Sequence, residues 1–167
     1  LLNEKGVIMK CALVTGGSRG IGRAICVKLA TQTDYHILIN YQNNKDAALE
    51  TLQLVEAAGA TGEILNFDVS DNQGVKAAVE QWTAANPAAV VEVLVNNAGI
   101  TKDGLFMWMP EADWSAVINT SLHGFYNVTN FFMQQMLRNR YGRVVNIVSV
   151  SGVKGTAGQT NYSAAKA

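Results

Sequence analysis

The 167-residue chain contains few cysteines and has no excess of either charge. Cys11 and Cys26 lie in patterned apolar segments without a second Cys or His at metal-ligand spacing, so we interpret them as buried thiols in a reducing compartment, the cytoplasm. Thirteen basic residues balance thirteen acidic ones, which argues against nucleic acid or an anionic membrane as the main partner. The composition favours a small ligand and indicates no metal site.

The sequence also lacks an apolar run long enough to cross a bilayer. Its first residues, LLNEKGVIMK, have no basic region, long apolar stretch or cleavage site of a signal peptide. We interpret residues 1–8 as an N-terminal extension outside the fold. With 49% hydrophobic residues, the remainder, residues 9–167, is expected to form one compact domain.

Short β-rich apolar runs alternate with helical patterns along the chain. Near-continuous apolar strands that alternate with helices predict a parallel sheet with helices on both faces, a doubly wound Rossmann-type α/β fold. Ser70 or Asp71 can cap the third helix, Gly59 can end the second, and Pro110 fits the start of the fourth. The predicted strands are residues 11–15, 35–40, 62–67, 90–95 and 142–150; the predicted helices are residues 20–30, 45–58 and 71–85, with two more within 111–140.

A glycine-rich turn, TGGSRGIG at residues 15–22, follows the first predicted strand and opens the first helix. Its spacing is T-G-x-x-x-G-x-G. Glycines allow positive φ and close approach of the backbone, and the free amides of a helix start attract an anion. The turn therefore predicts a dinucleotide site, and the alternative is a tight strand-to-helix turn without a ligand.

The second strand bears on the choice of dinucleotide. A site that prefers NAD usually carries Asp or Glu about 20 residues beyond the glycines, and residues 35–44 contain neither. Arg19, Asn40 and Tyr41 could instead accommodate a 2′-phosphate. The pattern favours NADP(H), unless Arg19 is a solvated loop cation.

Four motifs in this order resemble the short-chain dehydrogenase/reductase family. They are the glycine turn, NNAG at residues 96–99, Ser149, and YSAAK at residues 162–166. Taken alone, Tyr162 and Lys166 could be an ordinary pair on one helix face. Within the family, residues 96–109 and 142–167 look most like the 3-oxoacyl-[acyl-carrier-protein] reductases and their acetoacetyl-CoA reductase relatives.

The resemblance implies hydride transfer between a nicotinamide and a carbonyl carbon. Tyr162 would be the acid, and the Lys166 ammonium one helical turn away would stabilise a phenolate and bind the nicotinamide ribose. Ser149, expected at the end of the fifth strand, would donate to the substrate oxygen. These three residues are the expected catalytic core.

Ser121 stands where many family members place a fourth catalytic residue, an Asn that holds a water in a proton relay from the lysine. Its hydroxyl can still bind a water, with a shorter side chain and fewer groups. Asn119 lies on a different side of the helix and does not replace that residue. We expect a retained but altered relay.

The resemblance also assigns the cofactor contacts. Asp68 would contact the adenine, and Asn96 would buttress the sheet and line the cofactor crevice, although either could be a turn or capping residue. The full expected set of cofactor-binding residues is Thr15, Gly16, Ser18, Arg19, Gly20, Ile21, Gly22, Asn40, Tyr41, Asp68, Val69, Asn96, Ala98, Gly99, Tyr162 and Lys166.

The implied function is NADPH-dependent reduction of a 3-oxoacyl thioester, linked to acyl carrier protein or CoA, as in fatty-acid-type biosynthesis, by a homotetramer. A basic cluster of Arg138, Arg140 and Arg143 is expected near the mouth of the site for an acidic carrier, or at a helix C-terminus to complement its dipole. Met107, Trp108, Met109 and Trp114 are expected in core or subunit packing, or in an acyl pocket.

Two alternatives remain from the sequence. The first is a reductase of another ketone, such as a steroid, sugar or quinone. The second is a non-catalytic dinucleotide-binding fragment, because family members continue beyond the active-site helix and this sequence ends at Ala167. A domain truncated at that sheet edge is expected to expose apolar surface and to associate.

Overall fold

The computed structural model describes residues 8–167, so the expected extension at residues 1–8 lies outside the described residues except for Ile8. Five strands form one sheet, as predicted: β1 (Met9–Val14), β2 (His36–Tyr41), β3 (Gly62–Asn66), β4 (Ala89–Asn96) and β5 (Arg143–Asn146).

All neighbouring strands are parallel, in the order β3-β2-β1-β4-β5. The order reverses between β1 and β4, where the chain crosses from one half of the sheet to the other. Open α/β sheets bind ligands at the carboxyl ends of the strands beside such a reversal. The helices are α1 (Gly20–Gln32), α2 (Lys45–Ala57), α3 (Asn72–Ala85), α4 (Glu111–Ile118), α5 (Gly124–Arg138), α6 (Val150–Lys154) and α7 (Thr160–Lys166).

Helices cover both faces of the sheet, which confirms the doubly wound fold. Successive residues of β1 point to opposite faces, so Cys11 and Leu13 enter one core and Ala12 and Val14 the other. The first core packs against α3 and α5, and the second against α1 and α2. Both cysteines are buried free thiols. Burial raises the pKa of each thiol to about 12, so neither is a reactive thiolate near neutral pH.

Two predicted helix ends are confirmed, the start of α3 and the end of α2. Asp71 caps α3 by accepting a hydrogen bond from the Gln73 amide at 3.1 Å. Gly59, with φ of +90°, follows the end of α2. Between residues 8 and 167 no helix is long and apolar enough to cross a membrane.

Most predicted element bounds lie within two residues of the observed ones, and two regions depart from the prediction. The two helices within residues 111–140 are joined without a loop, because a π-helical turn at Asn119–His123 continues α4 into α5. The fifth strand ends at Asn146 instead of Val150, since Ser149 caps α6 and its Oγ accepts a hydrogen bond from the Ser151 amide at 3.2 Å. Ser149 is therefore a helix cap beyond the strand.

Arg23 fixes the glycine turn against α1 and α2. Its guanidinium donates to the Ser18 carbonyl at 2.8 Å, the Ala47 carbonyl at 3.1 Å and the Thr51 hydroxyl at 2.9 Å. An ion pair with Glu50 at 2.9 Å completes the set. A planar guanidinium can satisfy several acceptors at once, which makes it suited to holding a loop and two helices in register.

Candidate active site

A cleft of about 960 Å³ lies at the carboxyl ends of the strands, on both sides of the β1–β4 reversal. It brings together most of the residues that the sequence marks as functional. These are Gly16, Ser18, Arg19, Gly20, Ile21, Gly22, Asn40, Tyr41, Asp68, Val69, Ala98, Gly99, Ser149, Tyr162 and Lys166. Thr15, Asn96 and Ser121 line a smaller cavity of about 170 Å³ behind Lys166.

The glycine turn has the geometry of an anion cradle. Gly16 and Gly20 have φ of +61° and +55°, in the left-handed region that favours glycine. A Cβ on Gly22 would collide with the Gly16 carbonyl oxygen, so the turn closes only with glycine there. No side chain from residues 8–167 caps the amides that open α1, which leaves them available to phosphate oxygens. The cleft thus fits a dinucleotide.

Thr15 is buried directly before this turn and lines the smaller cavity instead of the main cleft. Its buried Oγ1 accepts hydrogen bonds from the Asn97 and Ala98 amides at 2.9 and 3.0 Å and approaches the Val95 carbonyl at 3.3 Å. Thr15 therefore ties the end of β1 to the end of β4.

Asn97 is a site residue that sequence reasoning missed. Its Nδ2 donates to the Thr15 and Gly16 carbonyls at 2.8 and 3.1 Å, and the residue lines the cleft. The signal was present in the paired asparagines of NNAG, because consecutive extended residues point to opposite sides. Asn96 faces the other way and donates to the Thr129 hydroxyl at 2.9 Å and Asn146 at 3.0 Å, joining β4 to α5 and β5.

Asn40 and Tyr41 line the cleft as expected, but the Asn40 side chain is not free to contact a 2′-phosphate. Asn40 is 2% exposed; its Oδ1 accepts from the Gly16 amide at 3.0 Å, and its Nδ2 donates to the Phe67 carbonyl at 3.0 Å. The amide is hydrogen bonded to the protein and shapes the turn. Tyr41 is also buried.

The polar groups at the outer end of the cleft come from other residues. Gln42, Asn43 and Asn44 line it there, beside the exposed Arg19. Arg19 forms no ion pair with any residue in the part of the chain that the structure describes. Asp68 accepts from Gln42 Nε2 at 2.6 Å and from the Ser70 amide at 2.8 Å, so it also braces its own turn.

Ser149, Tyr162 and Lys166 all line this cleft. Tyr162 and Lys166 share one face of α7, and Ser149 comes from the segment after β5. Lys166 Nζ donates to the Ile147 carbonyl at 2.8 Å. Desolvation by burial lowers the pKa of Lys166 below its ordinary value of 10.5.

Ser121 lies on the π-helical turn and lines the same small cavity as Lys166. A Cβ placed on Gly99 would stand 3.4 Å from both Ser121 Oγ and Lys166 Nζ. The buried Ser121 Oγ has no hydrogen-bond partner within residues 8–167. π-Helical turns often occur at functional sites, and this one turns a free hydroxyl toward the lysine.

The arginine cluster does not lie at the mouth of this cleft, so the first of its two expected positions is wrong. Arg138 ends α5 and Arg143 begins β5, so Arg138, Arg140 and Arg143 occupy the amino-terminal edge of the sheet. The catalytic candidates lie at the carboxyl edge. Arg143 stacks on the Tyr141 ring at 4.7 Å, and Arg138 is in the last turn of α5, where a cation complements the helix dipole.

An exposed apolar turn lies beside the start of α7. Met107 and Trp108 are 75% and 74% exposed in a 3₁₀ turn at Phe106–Trp108, so of the expected roles core packing is wrong for these two, and subunit packing or an acyl pocket stays a prediction. Phe106 packs edge-to-face on Trp114 with ring centroids 6.1 Å apart. Among the described residues there is no cluster of side chains able to hold a metal ion.

A sequence model of the family described as short chain dehydrogenase matches residues 10–167. The chain belongs to the short-chain dehydrogenase family. It is 42% identical over 158 residues to a 3-oxoacyl-[acyl-carrier-protein] reductase FabG of Staphylococcus epidermidis, covering 95% of this chain and 64% of the relative. It is 46% identical over 158 residues to nodulation protein G of Azospirillum brasilense, covering 95% and 63%.

A solved structure assigned to a gluconate dehydrogenase of Agrobacterium tumefaciens superposes with a TM-score of 0.88 at 32% identity, covering 94% of this chain and 60% of that one. The chain thus spans less than two thirds of the length of each of these proteins. The family is one of oxidoreductases that use a nicotinamide dinucleotide, which agrees with the cradle geometry of the glycine turn.

Replacing the desolvated Lys166 should change how stability depends on pH. Because burial lowers its pKa, the unfolded chain binds more protons than the folded chain in the interval below 10.5, and stability rises with pH there. We expect the parent to gain unfolding free energy relative to Lys166→Met as the pH rises from 7 toward 10.5. Urea unfolding across this interval measures the difference. Lys28→Met, exposed on α1, is the matched control; the same pH dependence in both variants would contradict the assignment.

Proposed function

We propose that the protein reduces a 3-oxoacyl thioester, carried on acyl carrier protein or CoA, to the 3-hydroxyacyl form with NADPH. The observation that carries this proposal is the convergence of Ser149, Tyr162 and Lys166 on the same cleft as the glycine turn. The identity to 3-oxoacyl-[acyl-carrier-protein] reductases of Staphylococcus epidermidis and Chlamydia trachomatis, 42% in both, supports the substrate class.

A nicotinamide dinucleotide held by the glycine turn would supply the hydride, and the chain's own residues bind the substrate oxygen and deliver a proton to it. The Ser149 hydroxyl donates to the carbonyl oxygen as negative charge develops on it. Tyr162 delivers the proton, and Lys166 stabilises the resulting phenolate. The partial desolvation of Lys166 strengthens this electrostatic effect, because the local dielectric is lower than that of water.

The preference for NADPH rests on Arg19. It is the exposed cation of the glycine turn, it lines the outer end of the cleft, and no carboxylate occupies the neighbouring end of β2. A guanidinium binds a phosphate bidentately, whereas an acidic side chain there would repel it. Gln42 and Asn43 provide additional polar groups at this end.

Arg19→Ala should therefore weaken NADPH binding by about 10- to 100-fold, since a hydrogen bond to a charged group contributes about 1.5–3 kcal/mol. NADH, which has no 2′-phosphate, should bind the variant and the parent alike. Fluorescence titration with both dinucleotides measures the effect. Arg140→Ala, at the opposite edge of the sheet, is the control. Equal weakening for NADH and NADPH would argue against a 2′-phosphate contact.

A second candidate substrate is a sugar-derived ketone or alcohol. The solved structure from Agrobacterium tumefaciens, assigned to a gluconate dehydrogenase, has closely similar backbone geometry over 94% of this chain. The four exposed apolar residues of the segment Leu105–Trp108 favour an acyl chain over a sugar near the cleft.

The proposed assembly is a homo-oligomer, a tetramer in the family to which the chain belongs. Helix α5 and the turn before it carry exposed apolar side chains along one face: Leu122, Tyr126, Met133 and Leu137. Their spacing of four and seven residues makes a stripe suited to packing against a second helix. Val144 and Val145 add exposed apolar surface on β5, in accord with the expected tendency to associate.

Tyr162→Phe should abolish ketone-dependent NADPH oxidation without abolishing NADPH binding. The variant lacks only the hydroxyl, and a positioned acid contributes about 10²- to 10⁴-fold to the rate. The assay compares a carrier-linked 3-oxoacyl chain, acetoacetyl-CoA, simple ketones and gluconate with its keto form. Best turnover with a thioester supports the proposal. NADPH binding without oxidation of any substrate would instead favour a non-catalytic dinucleotide-binding protein.

The proposed role of Ser121 is to hold a water beside Lys166 for reprotonation. Its free Oγ and the 170 Å³ cavity provide the space and one partner for such a water. Ser121→Asn supplies more hydrogen-bonding groups and should raise turnover by about 2- to 10-fold, the value of one net hydrogen bond. Steady-state rates from pH 6 to 9 test this, with Asn119→Ser, exposed on the same turn, as control. Unchanged turnover and pH dependence in Ser121→Asn would remove Ser121 from the relay.

A further inference from the structure

Asn161 directly precedes Tyr162, and its polar side chain is fully buried. Nδ2 donates to the Lys102 carbonyl at 2.9 Å and to the Asp113 carbonyl at 3.4 Å, while Oδ1 accepts from the Tyr162 amide at 2.7 Å. Asn161 is not among the described residues that line the cleft. A buried side-chain amide that donates to two other segments holds those segments in place and does not bind a ligand.

The segments that Asn161 joins are the loop after β4, the start of α4 and the start of α7. Two further hydrogen bonds join the loop after β4 to the residues just before α7. The Gly104 amide donates to the Gly158 carbonyl at 2.8 Å, and Gln159 Nε2 donates to Asp103 at 3.0 Å. The side-chain contact between Gln159 and Asp103 is exposed, so water competes with it, whereas Asn161 is shielded from solvent. Asn161 is therefore the buried centre of this junction.

Tyr162 and Lys166 are held through different parts of the fold. Lys166 Nζ is anchored to the Ile147 carbonyl beyond β5 at 2.8 Å, one helical turn from Tyr162. The backbone of Tyr162 is held by Asn161 and, through it, by the loop after β4. Loss of the Asn161 contacts should therefore disturb the phenol more than the ammonium.

We infer that Asn161 is a positioning residue: it fixes the Tyr162 phenol relative to Lys166 and couples it to the apolar turn at Phe106–Trp108. The inference rests on the proposed reductase activity and extends it to a residue that contacts neither substrate nor dinucleotide. The coupling follows from chain geometry, since Lys102 lies four residues before the turn and Asp113 five residues after it.

Two variants of the intact protein test the inference. Asn161→Leu removes all three hydrogen bonds at similar volume. Asn161→Asp keeps an acceptor for the Tyr162 amide but loses both donors and places a carboxylate against two carbonyl oxygens. In both, kcat with a 3-oxoacyl thioester should fall by about 10- to 100-fold, as misplacement by about 1 Å does. The NADPH Kd should change by less than about twofold, because Lys166 keeps its own anchor.

Asn86→Leu is the matched control, since Asn86 also donates to a backbone carbonyl, that of Trp82, but at the end of α3 far from the cleft. It should leave kcat and the NADPH Kd unchanged. Parallel losses of kcat and NADPH affinity in the Asn161 variants would mean a general structural role and overturn the inference. Full activity of Asn161→Asp would overturn it as well, because the two donors would then be dispensable.

Amide hydrogen exchange separates failure of this inference from failure of the proposed function. If the parent reduces no thioester, the reductase proposal fails, yet the junction can still be tested. In Asn161→Leu the amides of Gly104, Tyr162 and Ser163 should exchange at least about tenfold faster, while those of β1 keep their protection. Unchanged exchange at these three amides would overturn the positioning role.

Discussion

The site depends on the hydrogen bonds that tie the carboxyl ends of β1 and β4 together. Thr15 Oγ1 accepts the Asn97 and Ala98 amides, and Asn97 returns two bonds to the Thr15 and Gly16 carbonyls. Beyond these paired strand ends the chain turns toward helices on opposite faces of the sheet, and the link joins the two segments where they leave it. The link holds the glycine turn and the start of the β4 loop as two walls of one cleft. Most of the other candidate functional residues line the cleft between these two walls.

Four asparagines hold the backbone around the cleft and leave other groups to contact a ligand. Asn40, Asn96, Asn97 and Asn161 all donate to backbone carbonyls or neighbouring side chains, and each joins segments that are distant in sequence. An amide suits this task because it donates and accepts without carrying a charge that burial would penalise. The groups left available to a ligand are instead the backbone amides that open α1, the Arg19 guanidinium, and the hydroxyl hydrogens of Ser149 and Tyr162. Neutral asparagine hydrogen bonds thus fix the backbone around the few groups that remain available to a ligand.

The strand and helix order, the parallel sheet and the location of the cleft could be predicted from the sequence, because apolar periodicity and glycine spacing act locally. The direction in which individual polar side chains point could not be predicted. Asn40 matched a phosphate-binding role by position, yet its side chain points inward to the Gly16 amide. Arg143 is close to Ser149 in sequence, but the length of β5 separates them across the sheet. Such errors arise where function depends on which way a side chain leaves the backbone.

The burial of Lys166 shows why this arrangement must be rigid. A partly desolvated ammonium is less stable in its charged form, and only the Ile147 carbonyl meets it directly among the described residues. The same desolvation makes the ammonium a stronger partner for a nearby phenolate, since water screens it less. That benefit falls off with distance between the two groups, so it exists only while Tyr162 stays in place. In the proposed mechanism, the separate anchors of Lys166 and Tyr162 serve one electrostatic interaction between residues one helical turn apart.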